Sequence, residues 1–424
     1  MRKNRLHYAW VMVFLSAAIL AVIAARFYTF GVFLIPISES FGWTRGSLSL
    51  ASSAASVVAG ILSIFVARIS DRYGPRLLVT IAGVLHTAGF LLAARVTHLW
   101  QIYLVWGLVM GTGNACGYVP LMSTIARWFS VRRTTAIGIT IAGFAAGAIF
   151  WPPVTQWVID TLDWQRAFII LGGISAVGII PLAQFLKTSP EKAGLQPYGH
   201  ERMSREEVQA FGAPGLTLSQ AVRTARFWLW GPILFCFFTS LNVLYVHIVA
   251  HARDIGIPPV IAAGTLSIIA GTSITARLSI GAISDKVGTR TALTGALVLA
   301  VIAFTLLVIS PARWAFYLFA VIFGLAYGSV VPLETAMPVG LFGVTSLGAI
   351  MAAAGLLSTL GSAFGPPVAG LIFDRTGEYQ PAFIICLALA AIALALSLFL
   401  LKLKEKSATD PLAHGRGKSQ AYSR

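Results

Sequence analysis

The sequence predicts an all-α integral membrane protein with twelve transmembrane helices in two six-helix halves. Three observations lead there. Windows of about 20 apolar residues, the length that crosses a hydrocarbon core of about 30 Å, recur twelve times in 424 residues. Charged residues are only 11% of the chain and hydrophobic ones 57%, against about 25% charged in ordinary soluble domains. Two Asp-centred turn motifs, SDRYGPR at Ser70–Arg76 and SDKVGTR at Ser284–Arg290, stand 214 residues apart, half the chain.

In order, the expected spans are 9–36, 47–69, 76–95, 99–126, 134–158, 165–187, 227–251, 260–284, 291–310, 313–338, 345–373 and 380–402. The first follows the basic start MRKNR, and its AVIAA run resembles a signal-peptide cleavage site. The apolar pattern continues through FYTFGVFLIPI, so one uncleaved span is expected. The second and third spans flank the first turn motif. The fifth contains Pro152-Pro153 and ends near Asp160, and these match Pro366-Pro367 and Asp374 of the eleventh at the same offset of 214. Gly42 and Gly256 repeat it again. The one long polar segment, 188–226, is therefore read as a cytoplasmic linker between halves 1–187 and 227–402, with a cytoplasmic tail at 403–424.

Charge sets the orientation. Of 31 Lys and Arg residues, 23 fall on one face with the termini and the linker, six in the opposite loops and two inside spans. By the positive-inside rule the basic face is cytoplasmic, in a cell membrane. The net charge of +16 lies between spans and forms no single stripe, so the partner it implies is the lipid bilayer and not nucleic acid. The three cysteines sit in apolar stretches and indicate neither a disulfide framework nor a metal site. With no nucleophile constellation, metal-ligand cluster or phosphate-binding loop, neither an enzyme nor a cofactor is expected. Gly111–Gly113 reads as close helix packing.

The turn motifs resemble the G-x3-D-R/K-x-G-x-R pattern of the major facilitator superfamily. The second copy is intact in Gly281, Asp285, Lys286, Gly288 and Arg290. The first has Asp71, Arg72, Gly74 and Arg76, with Ala67 in place of the leading glycine. The resemblance implies a cytoplasmic gate in which Asp71 and Asp285 hold neighbouring helices through charge pairs and helix-end contacts. FGVFLIPISESFGW, SPEKAGLQPYG, TLSQAVRTARFWLW and GPPVAGLIFDRTGEYQPAF further resemble the monocarboxylate transporter and oxalate/formate antiporter group. That likeness implies carriage of small organic anions, often with protons, by a fold that works as a monomer in most relatives.

Charges inside spans are costly, about 2.5–3.5 kcal/mol on insertion scales, so they mark candidate sites. Arg277 lies eight residues before Asp285, about 12 Å into the membrane at a helical rise of ~1.5 Å. Its planar guanidinium offers the paired donors that a carboxylate accepts. Arg26 lies about 16 Å from the opposite surface and is expected to complete a two-arginine clamp. Asn114 and Tyr118, one turn apart on the fourth span, with Tyr327 of the tenth and His247 of the seventh, are expected to add polar and aromatic contacts. Where animal-type relatives have an acid one turn before the arginine, this chain has Ser273. Proton coupling then falls to His247, Asp254 or Glu334. The oxalate branch's lysine in the eleventh span is absent, which lowers a dicarboxylate exchanger reading. Efflux of lipophilic cations calls for buried acids, and the cavity here has arginines instead.

Overall fold

The computed structural model describes residues 8–130, 132–190, 194–196, 198, 215–310, 312–343 and 345–403. Twelve helices long and apolar enough to cross a membrane account for most of them. They are α1 (Tyr8–Phe41), α2 (Arg45–Tyr73), α3 (Pro75–Ala93), α4 (Leu99–Trp128), α5 (Arg133–Thr161) and α6 (Trp164–Ala183). After the linker come α7 (Ala225–Asp254), α8 (Pro259–Val287), α9 (Thr289–Ile309), α10 (Arg313–Phe342), α11 (Leu347–Thr376) and α12 (Gln380–Lys402).

All twelve expected spans are present, and several helices run past the apolar windows. The sequence bounds follow hydrophobicity, whereas helices end where caps and turns stop them. Thr44, Asp163 and Thr224 cap α2, α6 and α7 by accepting hydrogen bonds from backbone N–H groups of the first turn. Two features lay outside the expectation. Residues Tyr103–Val109 of α4 form a π-helical stretch, and a one-turn helix, Leu218–Ala221, leads into α7. Most of the expected linker and the tail from residue 404 lie outside the described residues.

Packing repeats between the first and last six helices. α1 lies along α5 as α7 lies along α11; α4 packs on α2 and α3 as α10 packs on α8 and α9. Between the two sets, α2 packs on α11, α5 on α8 and α1 on α7.

The face that carries the α2–α3 turn, the α8–α9 turn and the end of α12 is termed the tail face, and its opposite the far face. Among the described residues, every side-chain bond joining the two sets lies in the far half. Arg45 pairs with Asp254, and Asp374 accepts from the backbone N–H groups of Arg45 and Gly46, each at 2.9 Å. At Gly46 and Gly370 the backbones touch: a β-carbon on Gly370 would lie 2.5 Å from the Gly46 α-carbon. Deeper, Ser267 of α8 donates to the Ile149 carbonyl of α5 at 2.6 Å. The molecule is sealed on one side.

Candidate functional site

Four helices bring aromatic hydroxyls to Arg277. The Tyr327 ring of α10 lies under the guanidinium, 5.0 Å from its carbon. Tyr28 of α1 meets Tyr245 of α7 edge-to-face at 5.1 Å, and Tyr245 meets Tyr327 at 5.8 Å. Phe27 and Phe144 close the apolar side, 5.9 Å apart. The three hydroxyls and the guanidinium lie within hydrogen-bonding reach of one another, with Tyr327 meeting Tyr28, Tyr245 and Arg277. Tyr118 of α4 is partly open and faces the same group, with Glu334 of α10 close by.

Arg277 has no ion pair among the described residues, and its Nε is buried without a partner. A cation held within a membrane span without a counter-ion, and with a buried donor free, can take an anion, because the charge and the free donor are satisfied together. The phenols add neutral donors, and the rings add an apolar wall.

Glu334 accepts from Ser358 of α11 over a long 3.5 Å. It lies seven residues tailward of Tyr327 on α10. Asn114 is half-buried one turn from Tyr118 on α4.

Three expected members stand elsewhere. His247 is fully buried in the far-side seal. Its Nε2 is 2.8 Å from the Pro366 carbonyl, which can only accept, so Nε2 carries the proton. Nδ1 then accepts from the Tyr379 hydroxyl at 3.0 Å, and the Ser49 hydroxyl lies 3.2 Å from Nε2. Both ring nitrogens are spent in tying α7 to α2, α11 and the start of α12. Asp254 is likewise held by Arg45, whose two terminal nitrogens reach it at 2.6 and 3.0 Å. Arg26 does not join Arg277 in a clamp. It is 3% exposed, and His86 of α3 is the titratable group on which it acts.

The turn motifs are built as expected in backbone but not in charge. Gly74 and Gly288 adopt φ of +84° and +85° and end α2 and α8, each N–H returning to the carbonyl of Ser70 or Ser284 at 2.9 Å. Arg76 donates to Gln184 at 2.8 Å, and Arg290 to the Leu403 carbonyl at 2.9 Å. Arg72 lies exposed over the Tyr73 ring. Gly281, Asp285 and Lys286 are exposed, and Asp285 makes no ion pair among the described residues; the Asp71 side chain is outside them. With the far face sealed, the tail-face charge pair implied by the resemblance is not engaged at Asp285.

Tyr28 and Tyr245 were missed by the sequence reading. Their signal was a tyrosine deep in the first helix of each half, in ARFYTFG and NVLYVHI, where a phenol has no lipid-facing use.

Comparison with known proteins bears on this geometry. The pattern describing the Major Facilitator Superfamily matches residues 14–312 and 276–422. Monocarboxylate transporter 13 of Bos taurus is 25% identical over 386 residues, covering 89% of this chain and 86% of that protein. Monocarboxylate transporter 11 of Mus musculus is 29% identical over 399 residues, covering 89% and 84%. Among solved structures, the nucleoside transporter NupG superposes with a TM-score of 0.68 at 13% identity, over 92% of this chain and all of that one. A bacterial homolog of the human lysosomal transporter Spinster, in an inward-facing and unoccupied conformation, superposes at 0.67 with 15% identity, over 94% and 96%. A matched pattern along almost the whole chain, a repeated twelve-helix fold and a one-sided seal over an intramembrane cation have one reading: the chain belongs to the major facilitator superfamily and is a multi-pass membrane transporter, not an enzyme.

Proposed function

We propose that this chain carries small monocarboxylates of the lactate and pyruvate type by alternating access, with Arg277 receiving the carboxylate. The observation that carries the reading is a half-buried guanidinium within a membrane span, without a counter-ion and ringed by phenols and an apolar wall. The similarity to monocarboxylate transporters supports the substrate class. Placing the basic tail face in the cytoplasm of a cell membrane makes this state inward-open, with the far-side seal facing out. The carboxylate neutralises Arg277, and the neutralised site crosses the membrane interior at lower cost, which couples movement to binding.

Proton coupling is assigned to Glu334, the acid nearest the pocket among the three candidates. His247 and Asp254 are committed to the seal. The carrier is read as a monomer.

The test is uptake of radiolabelled L-lactate into proteoliposomes, with and without an inward proton gradient, and with pyruvate, acetate and oxalate as competitors. Gradient-stimulated uptake blocked by pyruvate is expected. Uptake seen only with internal oxalate or formate would move the protein to carboxylate exchange, and no transport of any of these acids would remove the substrate assignment.

A further inference from the structure

Inside the first six helices, α1, α3 and α4 stack side chains in layers. On α1 the residues Ile23, Arg26 and Phe30 follow at helical spacing and share one face. Ile23 and Ala82 of α3 meet at Gly117 of α4, where a β-carbon would touch both. One level farther, Phe30 and Phe90 of α3 both pack on Trp106 of α4, at 5.0 and 6.0 Å. Between these apolar levels lie Arg26 and His86. Gly113 of α4 makes the room, since a β-carbon there would stand 2.8 Å from the His86 ring.

This middle layer is unfinished. Arg26 is 97% enclosed, makes no hydrogen bond among the described residues, and its Nε is unpartnered. His86 is wholly buried; its Nδ1 donates to the Ala82 carbonyl at 2.8 Å, which leaves Nε2 as a bare lone pair. Thr29 Oγ1 and Trp106 Nε1, on neighbouring positions of α1 and α4, are also buried without partners. No carboxylate lies at this depth on α1 through α6. The other titratable groups there on helices packed around the layer are Tyr28, Cys116, Tyr118 and Tyr245.

Water could fill the hydrogen bonds but would leave the charge. A small anion answers both, and then Nε2 of His86 gains by taking a proton, turning a repelled lone pair into a second donor. We infer that the Arg26–His86 layer is a binding site for a small inorganic monoanion of halide size, taken up together with a proton on His86. The site is separate from the Arg277 pocket and does not depend on what that pocket carries.

Thermal unfolding of the purified full-length chain tests this, in sodium chloride against sodium methanesulfonate at equal ionic strength, at pH 5.5 and 7.5. Chloride is expected to raise the unfolding temperature saturably, and more at pH 5.5. Arg277→Gln should keep the shift and Arg26→Gln should lose it at both pH values. His86→Gln should keep a chloride shift that no longer varies with pH. A wild-type chain indifferent to chloride, meaning a water-filled layer, overturns the proposal, as does an unchanged shift in Arg26→Gln. Should Arg26→Gln not fold, His86→Gln decides: a chloride shift still growing at low pH overturns it.

Discussion

Arg45 at the start of α2 grips Asp254 at the end of α7 with both terminal guanidinium nitrogens, at 2.6 and 3.0 Å. The same guanidinium lies 3.8 Å over the Phe373 ring of α11 and donates to the Tyr379 hydroxyl at 3.2 Å. Three segments of the last six helices thus close on one residue of the first six. An isolated exposed ion pair contributes about 0–1 kcal/mol, but this one is bidentate and half-buried.

Asp254→Asn is therefore expected to favour the far-open state by about 1–2 kcal/mol, a factor of roughly 5–30 in population. The three native cysteines are buried, so a single reporter such as Phe27→Cys in the pocket can be read above background. Faster modification of that thiol by a membrane-impermeant reagent from the far side is the expected result. An unchanged rate would mean that the pair is not part of the gate.

Asp374 gives the seal an asymmetry that its repeat partner exposes. Its carboxylate caps α2 across the interface through two backbone N–H groups, at a helix end where a negative charge stabilises by about 0.3–1 kcal/mol or more. Asp160, its counterpart 214 residues earlier, instead accepts from Gln156 on its own helix at 2.7 Å. Asp374→Asn should therefore raise far-side accessibility of the Phe27→Cys thiol, while Asp160→Asn leaves it unchanged. Equal effects from the two would remove the argument that the cap holds the gate.

This contrast marks what the sequence can and cannot convey. Spans, repeat and the intramembrane Arg277 are legible because lipid enforces hydrophobicity and makes a cation within a span conspicuous. Depth along a helix is legible too, which is why Tyr118, Tyr327 and Arg277 come out at one level. Rotation about the helix axis is not. Arg26 has the right depth for a clamp but faces α3, and His247 has both nitrogens taken by partners on three separate helices. Asp254 reads as a loop charge until the fold sets it beside a residue 209 positions away.

Arg277 carries the sharpest prediction for transport. Arg277→Gln removes the charge and the paired donors, and carboxylate uptake should fall on the order of 10²-fold, the equivalent of about 3 kcal/mol. Arg277→Lys keeps the charge but not the planar fork, so partial uptake with weaker apparent affinity is expected. Initial rates in proteoliposomes, at matched protein recovery and gel-filtration profile, measure both. Full transport by the Gln variant would sink the proposed site.

Glu334 separates binding from coupling. It lies on the pocket's tail side with one long bond to Ser358, so Glu334→Gln preserves shape and removes only the proton-accepting carboxylate. Lactate–lactate exchange at equal pH should survive in the variant, and stimulation of net uptake by an inward proton gradient should disappear. Gradient stimulation equal to wild type would assign the proton elsewhere.

The two turn motifs differ in their surroundings, and that difference is measurable without any substrate. Gly74 and Gly288 share a positive φ that an alanine adopts only with strain of about 1–2 kcal/mol. Nothing lies within 4 Å of a β-carbon at Gly288, so Gly288→Ala should cost that strain alone. At Gly74 the added carbon would collide with the Thr188 hydroxyl behind α6, and either that side chain turns away or the α2–α3 turn shifts. Gly74→Ala should therefore lower the unfolding temperature further than Gly288→Ala, and Thr188→Ala should narrow the gap. Equal losses for the two glycines, insensitive to Thr188→Ala, would show that backbone conformation is the only demand at both turns.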